Sequence, residues 1–455
     1  MTGRDRRGRA NGVTGYAWPM ARPILAVILG TFTLRLATGI TGSMLIYYYA
    51  VFPQYGGQPV SAVEVGILGA LFYASELIGS PLFGILSDRI GHRKVMLFGP
   101  AFGGIAVIIT AFTVSLPVIA FTRLLEGAST AASVPSILGF IAFATAADEV
   151  LRGRAVARFE AATLAGLMFG FVLGGVLFTA LGPVAFIANA LVYLVSFLIY
   201  RYGVPEHAEP EPAARSHDPE EGLRRYARIL RGSHVWLLAP TWIAINATLG
   251  LFTSQTLFQL VREPSAEFAD QQLMGGFEPW QMSVGLAVGG LLFFVGLFYW
   301  GGKFKDMRRT TIILYGIIGG AVMLAAGMAI NHYGAEMVVL LLVLVVIGAV
   351  GLFVLAGATP AAIGLLADMT EAYPNDRGAI MGLYSVFLGL GQIIGSILGG
   401  VAAERAGLDG IFVVSFVMLG IALLPLSQLR RYEHRLGEAP GSGGGAGPAP
   451  ASASD

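Results

Sequence analysis

The chain has 455 residues, of which 55% are hydrophobic and 13% are charged. A soluble globular chain carries about 25% charged residues, so much of this chain must face lipid. It contains no cysteine, which excludes disulfide bonds, thiolate metal sites and a thiol nucleophile. The formal net charge of +1 gives no reason to expect a nucleic-acid partner, and we predict none.

The chain begins with a polar stretch and then alternates apolar segments with short turns. Residues 1–22 contain five arginines and no apolar run, which predicts a disordered cytoplasmic N-terminus. A helix needs about 20 apolar residues to cross a bilayer. The first apolar segment is too long for a signal-peptide core of about 7 to 15 residues. Six segments predict a first bundle over residues 23–200, near 23–51, 63–86, 95–114, 117–146, 155–181 and 183–200.

A change in composition separates this bundle from a second one. Residues 201–234 are rich in proline, glutamate and arginine and predict a cytoplasmic linker with a short amphipathic helix over 219–231. Six further apolar segments predict a second bundle over 235–432, near 235–261, 281–300, 310–330, 337–366, 378–403 and 411–429. Residues 433–455 are mostly small or proline and predict a flexible cytoplasmic tail.

The distribution of positive charge predicts the orientation of these twelve helices. If both termini are cytoplasmic, the inner segments contain 25 of the 29 lysines and arginines. Arg262 and Arg405 then lie in outer loops, while Arg35 and Arg123 lie within helices. Positive charge accumulates on cytoplasmic loops of membrane proteins. We therefore expect a multi-pass protein of the cytoplasmic membrane with both ends inside.

The two halves also resemble each other in sequence. A shift of 225 residues aligns the fifth apolar segment with the eleventh and pairs Arg152 with Arg377. The matching residues of the first copy are Arg152, Gly153, Gly166, Gly170, Leu173, Gly174 and Gly175. Two related six-helix halves are typical of transporters that move one half against the other around a central site.

The most distinctive stretch joins the second and third apolar segments. Residues 84–94 have the sequence Gly-Ile-Leu-Ser-Asp-Arg-Ile-Gly-His-Arg-Lys. Gly84 allows close approach of a neighbouring helix, and Gly91 can adopt the positive φ of a short reversal. Asp88 can accept hydrogen bonds from a helix end or an arginine. The charges alone, Arg89 and Arg93 among them, are equally typical of an ordinary cytoplasmic loop.

This stretch resembles the signature loop of the major facilitator superfamily, with His92 where an arginine is usual. The resemblance implies an all-α polytopic fold of two related six-helix bundles, without a cofactor or metal. It implies a monomeric secondary transporter that moves a small molecule by alternating access. The chain is most similar to the branch that exports drugs and metabolites in exchange for protons.

Other functions are compatible with the same fold. An uptake symporter or facilitator for a sugar, organic acid or nucleoside is the main alternative, although sugar carriers are expected to have more amides and carboxylates in the cavity. A non-transporting sensor is a further alternative. A membrane enzyme is not supported, because the sequence contains neither a metal-ligand cluster nor a phosphate-binding loop after a strand.

Four ionisable residues fall at mid-membrane depth, where charges are costly and usually functional. Arg35 lies in helix 1, Glu76 in helix 2, and Arg123 and Glu126 in helix 4. Arg123 and Glu126 are three residues apart and therefore share a helix face. Their spacing resembles the superfamily's helix 4 pattern, in which the arginine is linked to proton transfer. A purely structural ion pair is the alternative.

The fifth segment has glycines at Gly166, Gly170, Gly174 and Gly175. The run resembles the superfamily's antiporter signature, which shapes a gating helix, but Phe171 replaces its proline. Small residues four apart are also ordinary helix-packing contacts, so both interpretations stay open.

The second half offers polar candidates for a central cavity and a cytoplasmic gate. The cavity candidates are Asn246, Gln255, Gln259 and Gln392. We expect a gate network to combine the signature-loop residues with Asp306, Asp368 and Arg377. A structural role is an alternative for each cavity candidate.

Overall fold

A computed structural model describes residues 17–146, 148–205, 235–333, 337–371 and 377–437. Most of these residues are helical, because a backbone in lipid must form its hydrogen bonds within the protein. The helices are α1 (Ala17–Ala50), α2 (Ala62–Ile90), α3 (His92–Ala111), α4 (Leu116–Ala144), α5 (Glu149–Leu181), α6 (Ala185–Gly203), α7 (Val235–Val261), α8 (Pro279–Gly302), α9 (Arg309–Tyr333), α10 (Val338–Leu355), α11 (Ala358–Glu371), α12 (Arg377–Leu423) and α13 (Leu426–Gly437).

Ten helical stretches in the described part of the chain are long and apolar enough to cross a membrane. Two of them, 150–203 and 385–431, contain breaks at Gly182 (φ 54°) and Gly407 (φ 58°). At Gly407 the chain reverses, since a Cβ on Gly410 would lie 2.7 Å from the carbonyl carbon of Ala402. We call residues 377–405 and 408–423 the first and second legs of α12. Each broken stretch holds two crossings, so the twelve predicted crossings are confirmed.

The contacts of α1 define the topology of the first half. Going along α5, Gly166 packs beside Arg35 and Gly170 beside Gly39, so α5 runs parallel to α1. Helix α6 runs the opposite way. Asn189 donates to the carbonyl of Ala37 at 2.9 Å, and Ser196 donates to the carbonyl of Gly30 at 2.9 Å.

Helix α7 has the same two neighbours in the second half. Gly391 packs beside Asn246 and Gly395 beside Ala247, so the first leg of α12 runs parallel to α7. The second leg returns antiparallel, and Thr241 on α7 donates to the carbonyl of Ala422 at 3.0 Å.

The glycines shared by the two halves have equivalent positions in the fold. Gly166, Gly170 and Gly174 pack against α1, and their counterparts Gly391, Gly395 and Gly399 pack against α7. The fourth glycine of each set crosses between the halves: Gly175 contacts α8 at Pro279, and Gly400 contacts α2 at Ala62. These contacts support the packing interpretation of the helix 5 glycines and agree with the predicted internal repeat.

The halves meet through α2 with the first leg of α12, and through α5 with α8. We call the end of the bundle that holds Gly91 the loop end and the end that holds Ala62 the far end. On α2, the glycine contacts between the halves extend from Ala62 at the far end to Leu77. A Cβ added to Gly389 would lie 3.6 Å from the Leu77 side chain. The two bundles are thus joined toward the far end.

The helix boundaries differ from the sequence prediction at both ends of the chain. Helix α1 begins at Ala17 rather than near Pro23, and α13 continues to Gly437, past the predicted start of the tail. The predicted tail, which starts at residue 433, overlaps the last five residues of this helix, where Glu433 accepts a hydrogen bond from the distant Arg309 amide. The predicted disorder of residues 1–16, the linker helix over 219–231 and the remainder of the tail lie outside the described residues.

Replacing Gly170 by alanine tests the packing of α5 on α1. The new Cβ would lie 2.8 Å from both the Cα of Gly39 and the amide nitrogen of Ile40. Overpacking of this kind costs about 1–3 kcal/mol, so we expect a lower melting temperature for the purified protein. The repeat predicts a similar loss for Gly395→Ala.

Gly285→Ala on α8 is the matched control, because a Cβ there has nothing within 4 Å. We expect an unchanged or slightly raised melting temperature, since alanine favours helix more than glycine does. Equal melting temperatures for all three variants would contradict the close packing.

Candidate functional site

An ion pair between Arg123 and Glu126 lies on α4 at the centre of the first half. The Arg123 Nη1 and the Glu126 Oε2 are in direct contact, and the two side chains are only 13% and 3% exposed. Arg123 also donates from Nε to the carbonyl of Leu68 at 3.3 Å and lies 4.8 Å above the ring of Phe72. These contacts fix the guanidinium against α2, so the predicted pairing is present in the structure.

Glu126 has a second carboxylate oxygen that is left without a partner. Its Oε1 is buried and makes no hydrogen bond within the described part of the chain. The hydroxyl of Tyr49 on α1 is also buried without a described partner, and Tyr49 interacts electrostatically with both charges of the pair. A buried carboxylate oxygen without a donor is a place where a proton can bind.

Arg35 on α1 interacts with side chains from three other helices of the first half. It is 8% exposed and donates from Nη1 to the hydroxyl of Thr130 on α4 at 3.4 Å. It interacts electrostatically with Glu76 on α2 and with Glu160 on α5. The structure therefore places Glu76 and Glu160 within electrostatic range of Arg35, although no salt bridge joins them among the described residues.

The sequence analysis missed Glu160. Its signal was a single carboxylate inside the long apolar segment of α5, less than two helical turns before Gly166. Glu160 is exposed, although α5 is a membrane-crossing helix. Glu160 lies about three helical turns from the start of α5 at the loop end, where an exposed carboxylate can reach water. Because the halves are joined toward the far end, we expect the water that reaches Glu160 to enter from the loop end.

Two of the predicted cavity amides lie at the far end instead. Gln255 on α7 is fully buried and donates from Nε2 to the carbonyl of Ala62 at 3.0 Å. The amide of Ala62 donates to Glu404 Oε2 at 2.8 Å. We call Ala62, Gln255 and Glu404 the far-end cluster. It joins the first turn of α2 to the second half, and so helps to close the far end.

Gln259 extends this arrangement within the second half. Its Nε2 donates to Gln255 Oε1 at 3.4 Å, and its Oε1 accepts from Arg262 Nη1 at 3.2 Å. Sequence spacing could not distinguish this position from a cavity wall, because it specifies the depth along α7 but not which face points inward.

The other two amides have different environments. Asn246 is buried and donates to the carbonyl of Trp242 in its own helix at 2.9 Å, which leaves it in the packing between α7 and α12. Gln392 accepts from Thr253 at 3.5 Å. Thr253 also lies close to the hydroxyl of Tyr73 on α2, so Gln392 lies near the contact between the halves.

The signature loop has the geometry expected of a single-residue reversal. Gly91 has φ 98° and separates the end of α2 from the start of α3, which confirms the positive φ predicted for it. Gly84 lies next to α4, where its Cβ would be 3.6 Å from Pro135. Asp88 and Arg89 are exposed at the turn. Arg93 is buried and donates to the carbonyl of Arg201 at 2.5 Å, joining α3 to α6.

The second-half gate candidates lie on three different elements. Asp306 is exposed in the turn between α8 and α9. Asp368 on α11 forms a salt bridge with Arg309 Nε at 3.1 Å, which is a contact within the second half. Arg377 begins α12, but its side chain lies outside the described residues.

Comparison with known proteins agrees with this architecture. The sequence profile of the Major Facilitator Superfamily matches residues 25–367 and 340–453. Multidrug resistance protein 2 of Bacillus subtilis is 24% identical over 75% of this chain and 80% of its own length. Tetracycline resistance protein, class D, of Salmonella ordonez is 26% identical over 80% of this chain and 89% of its own. A point mutant of the nucleoside transporter NupG has a similar fold, with a TM-score of 0.66, 13% identity and coverage of 90% of this chain and 99% of its own.

Gln255→Leu tests whether the far-end cluster holds this end closed. The variant loses one buried hydrogen bond between the halves, worth about 1 kcal/mol, so we expect about a fivefold shift of the population away from this conformation. Spin labels on cysteines introduced at Arg154 and Tyr299 would report the distance between α5 and α8 at the loop end. The distance should become shorter in the variant. Because the chain has no cysteine, no other site would be labelled.

Gln259→Leu is the control for this experiment. It removes the same amide one helical turn away, but the side-chain bonds of Gln259 stay within the second half. We expect its distance distribution to match that of the unmodified chain. A Gln255 variant that also matches would show that the cluster does not influence the equilibrium.

Proposed function

The chain belongs to the major facilitator superfamily and is a membrane transporter, and within that family we propose that it exports an organic cation in exchange for a proton. The observation that carries the proposal is the buried Glu126, with one oxygen on Arg123 and the other without a described partner. The similarity of the chain to multidrug and tetracycline resistance proteins supports export as the direction of transport.

Charge balance in the cavity supplies a basis for exchange. Three carboxylates, Glu76, Glu126 and Glu160, face two guanidinium groups, Arg35 and Arg123. When all five groups are ionised, the set has one excess negative charge. A proton on Glu126 or a monovalent cation in the cavity neutralises that charge equally well. Each therefore weakens the binding of the other, which is the condition for exchange.

Protonation of Glu126 also changes the packing of α4. A neutral carboxyl group attracts Arg123 less strongly, so the guanidinium gains freedom to interact with its neighbours on α2. Arg123 already contacts the Leu68 carbonyl and the Phe72 ring. Because α2 also contacts the second half, a change at Arg123 reaches the surface along which the halves move.

The structure fits the loading step of an exporter. The far-end cluster joins the halves, and the exposed Glu160 indicates a space that opens toward the loop end. The excess of positive charge at the loop end supports a cytoplasmic position for it. A cation from the cytoplasm then reaches Glu160 and Glu76 beside the aromatic ring of Tyr73, which adds cation–π attraction.

Proton movement in proteoliposomes tests the proposal directly. Purified protein is reconstituted with a pH-sensitive dye inside, and lipophilic cations and a nucleoside are added in turn. We expect cation-dependent proton movement opposite to the cation. Glu126→Gln should abolish the proton movement and the pH dependence of transport, because an amide cannot ionise, and it should weaken cation binding as a proton on Glu126 does.

Glu64→Gln is the control, because Glu64 caps the start of α2 at the far end and glutamine can replace it in that role. It should behave like the unmodified protein. Cation transport without proton movement would contradict coupling and indicate a facilitator. A nucleoside that moves in the same direction as protons would contradict export and indicate an uptake symporter.

A further inference from the structure

A groove of about 500 Å³ lies at the loop end of the second half, whereas Arg123 and Glu126 lie in the first half. It is bounded by α9, the second leg of α12 and α13. Its lining combines three arginines with three leucines and one serine: Arg308, Leu314, Leu423, Leu426, Ser427, Arg430 and Arg431. This combination of charge and apolar surface is found neither in the far-end cluster nor around Glu126.

Helix α13 forms one wall of the groove and is fixed to the bundle. Glu433 accepts hydrogen bonds from the amides of Arg309 at 2.9 Å and Thr310 at 3.3 Å, and from the Thr310 hydroxyl. It thus caps the N-terminus of α9, where a carboxylate is favoured by the helix dipole. Leu429, on the same helix, is fully buried. These contacts hold the outer face of α13 beside the groove.

The three arginines are available to bind an anion. Arg308, Arg430 and Arg431 are all exposed, and none forms a salt bridge within the described residues. Arg430 makes only a 3.4 Å hydrogen bond to the hydroxyl of Thr311. The adjacent Arg309 differs, since it is paired with Asp368. Guanidinium groups form paired hydrogen bonds with phosphate oxygens and so suit a phosphate ligand.

The apolar part of the groove identifies the kind of phosphate. Leu423 ends the last membrane crossing and is 41% exposed, and Leu314 lies on α9 almost two turns beyond Arg308. The groove therefore changes from charged to apolar in the direction of the bilayer interior. A soluble phosphate has no group for the apolar part, whereas a phospholipid has both a charged headgroup and an acyl chain.

We propose that this groove binds an anionic phospholipid from the surrounding bilayer. Arg308, Arg430 and Arg431 bind the headgroup, and Leu314 and Leu423 contact the first methylene groups of the acyl chains. Basic pockets between membrane helices near the surface recognise anionic headgroups in this way. By joining α9, α12 and α13, the lipid stabilises the loop end of the second half. This site is independent of the proposed proton exchange.

Native mass spectrometry of the full chain in a non-ionic detergent tests the proposal. The probes are phosphatidylglycerol and phosphatidylcholine with identical acyl chains. We expect the protein to retain phosphatidylglycerol in preference to phosphatidylcholine. Replacing Arg308, Arg430 and Arg431 together by glutamine should abolish the preference, at about a fivefold loss of affinity for each arginine.

The control removes three exposed arginines of the first half: Arg22→Gln, Arg154→Gln and Arg201→Gln. It changes the net charge by the same amount and should leave the preference intact. If the triple groove variant does not fold, Arg308→Gln alone replaces it, because no side-chain contact of Arg308 is described. We expect this variant to lose about fivefold in affinity for phosphatidylglycerol.

Three outcomes would overturn the proposal. An equal loss in the control would show attraction by overall charge rather than by the groove. Equal retention of both lipids by the unmodified chain would show that the arginines do not select the headgroup. Displacement of the lipid by an equal concentration of glycerol 3-phosphate would show that the groove binds a free phosphate and that the leucines contribute nothing.

Discussion

Arg123 and Glu126 place opposite charges one helical turn apart inside a bundle with apolar walls. Taking such a pair out of water costs several kcal/mol per ion unless the partners and further hydrogen bonds compensate. For Arg123, this cost is offset by contacts with Glu126, the Leu68 carbonyl and the face of the Phe72 ring. For Glu126, the cost is offset at one carboxylate oxygen only, because the other has no described hydrogen-bond partner. This imbalance is the basis of the proposed response of the pair to a proton.

The packing of the helices allows such a change to become a movement. Glycine at equivalent positions lets α5 lie against α1 and the first leg of α12 lie against α7, so each half is tightly packed within itself. Between the halves the described bonds are fewer and lie toward the far end, at Ala62 and Gln255. Two firmly packed bodies with few hydrogen bonds between them are suited to rigid-body movement.

Charge performs two different tasks in this protein. Among Arg35, Glu76, Arg123, Glu126 and Glu160, carboxylates exceed guanidinium groups by one, which supports the proposed binding of a cation or a proton. In the groove beside α13, arginines stand without described carboxylate partners, which favours an anion. The two regions lie in different halves and at different depths. The proposed cationic substrate and the proposed anionic lipid therefore do not compete for the same charges.

Much of this arrangement follows from the sequence. Lengths of apolar segments determined the twelve crossings, since a bilayer demands about 20 apolar residues for each. The spacing of Arg123 and Glu126 determined their pairing, because residues three apart share a helix face. Gly91 was identifiable because a one-residue reversal requires a positive φ. These features depend on local geometry or on the thickness of the membrane.

Only the tertiary structure decided which way each helix faces. Lipid and the protein core are both apolar, so the pattern along α7 could not show that Gln255 points to Ala62 rather than into the cavity. The same ambiguity concealed Glu160, whose significance depends on Arg35 from another helix. The end of helix α13 was missed because Glu433 stabilises it through α9, more than 100 residues away in the chain. Contacts between distant segments, unlike helix length or turn geometry, have no local signal in the sequence.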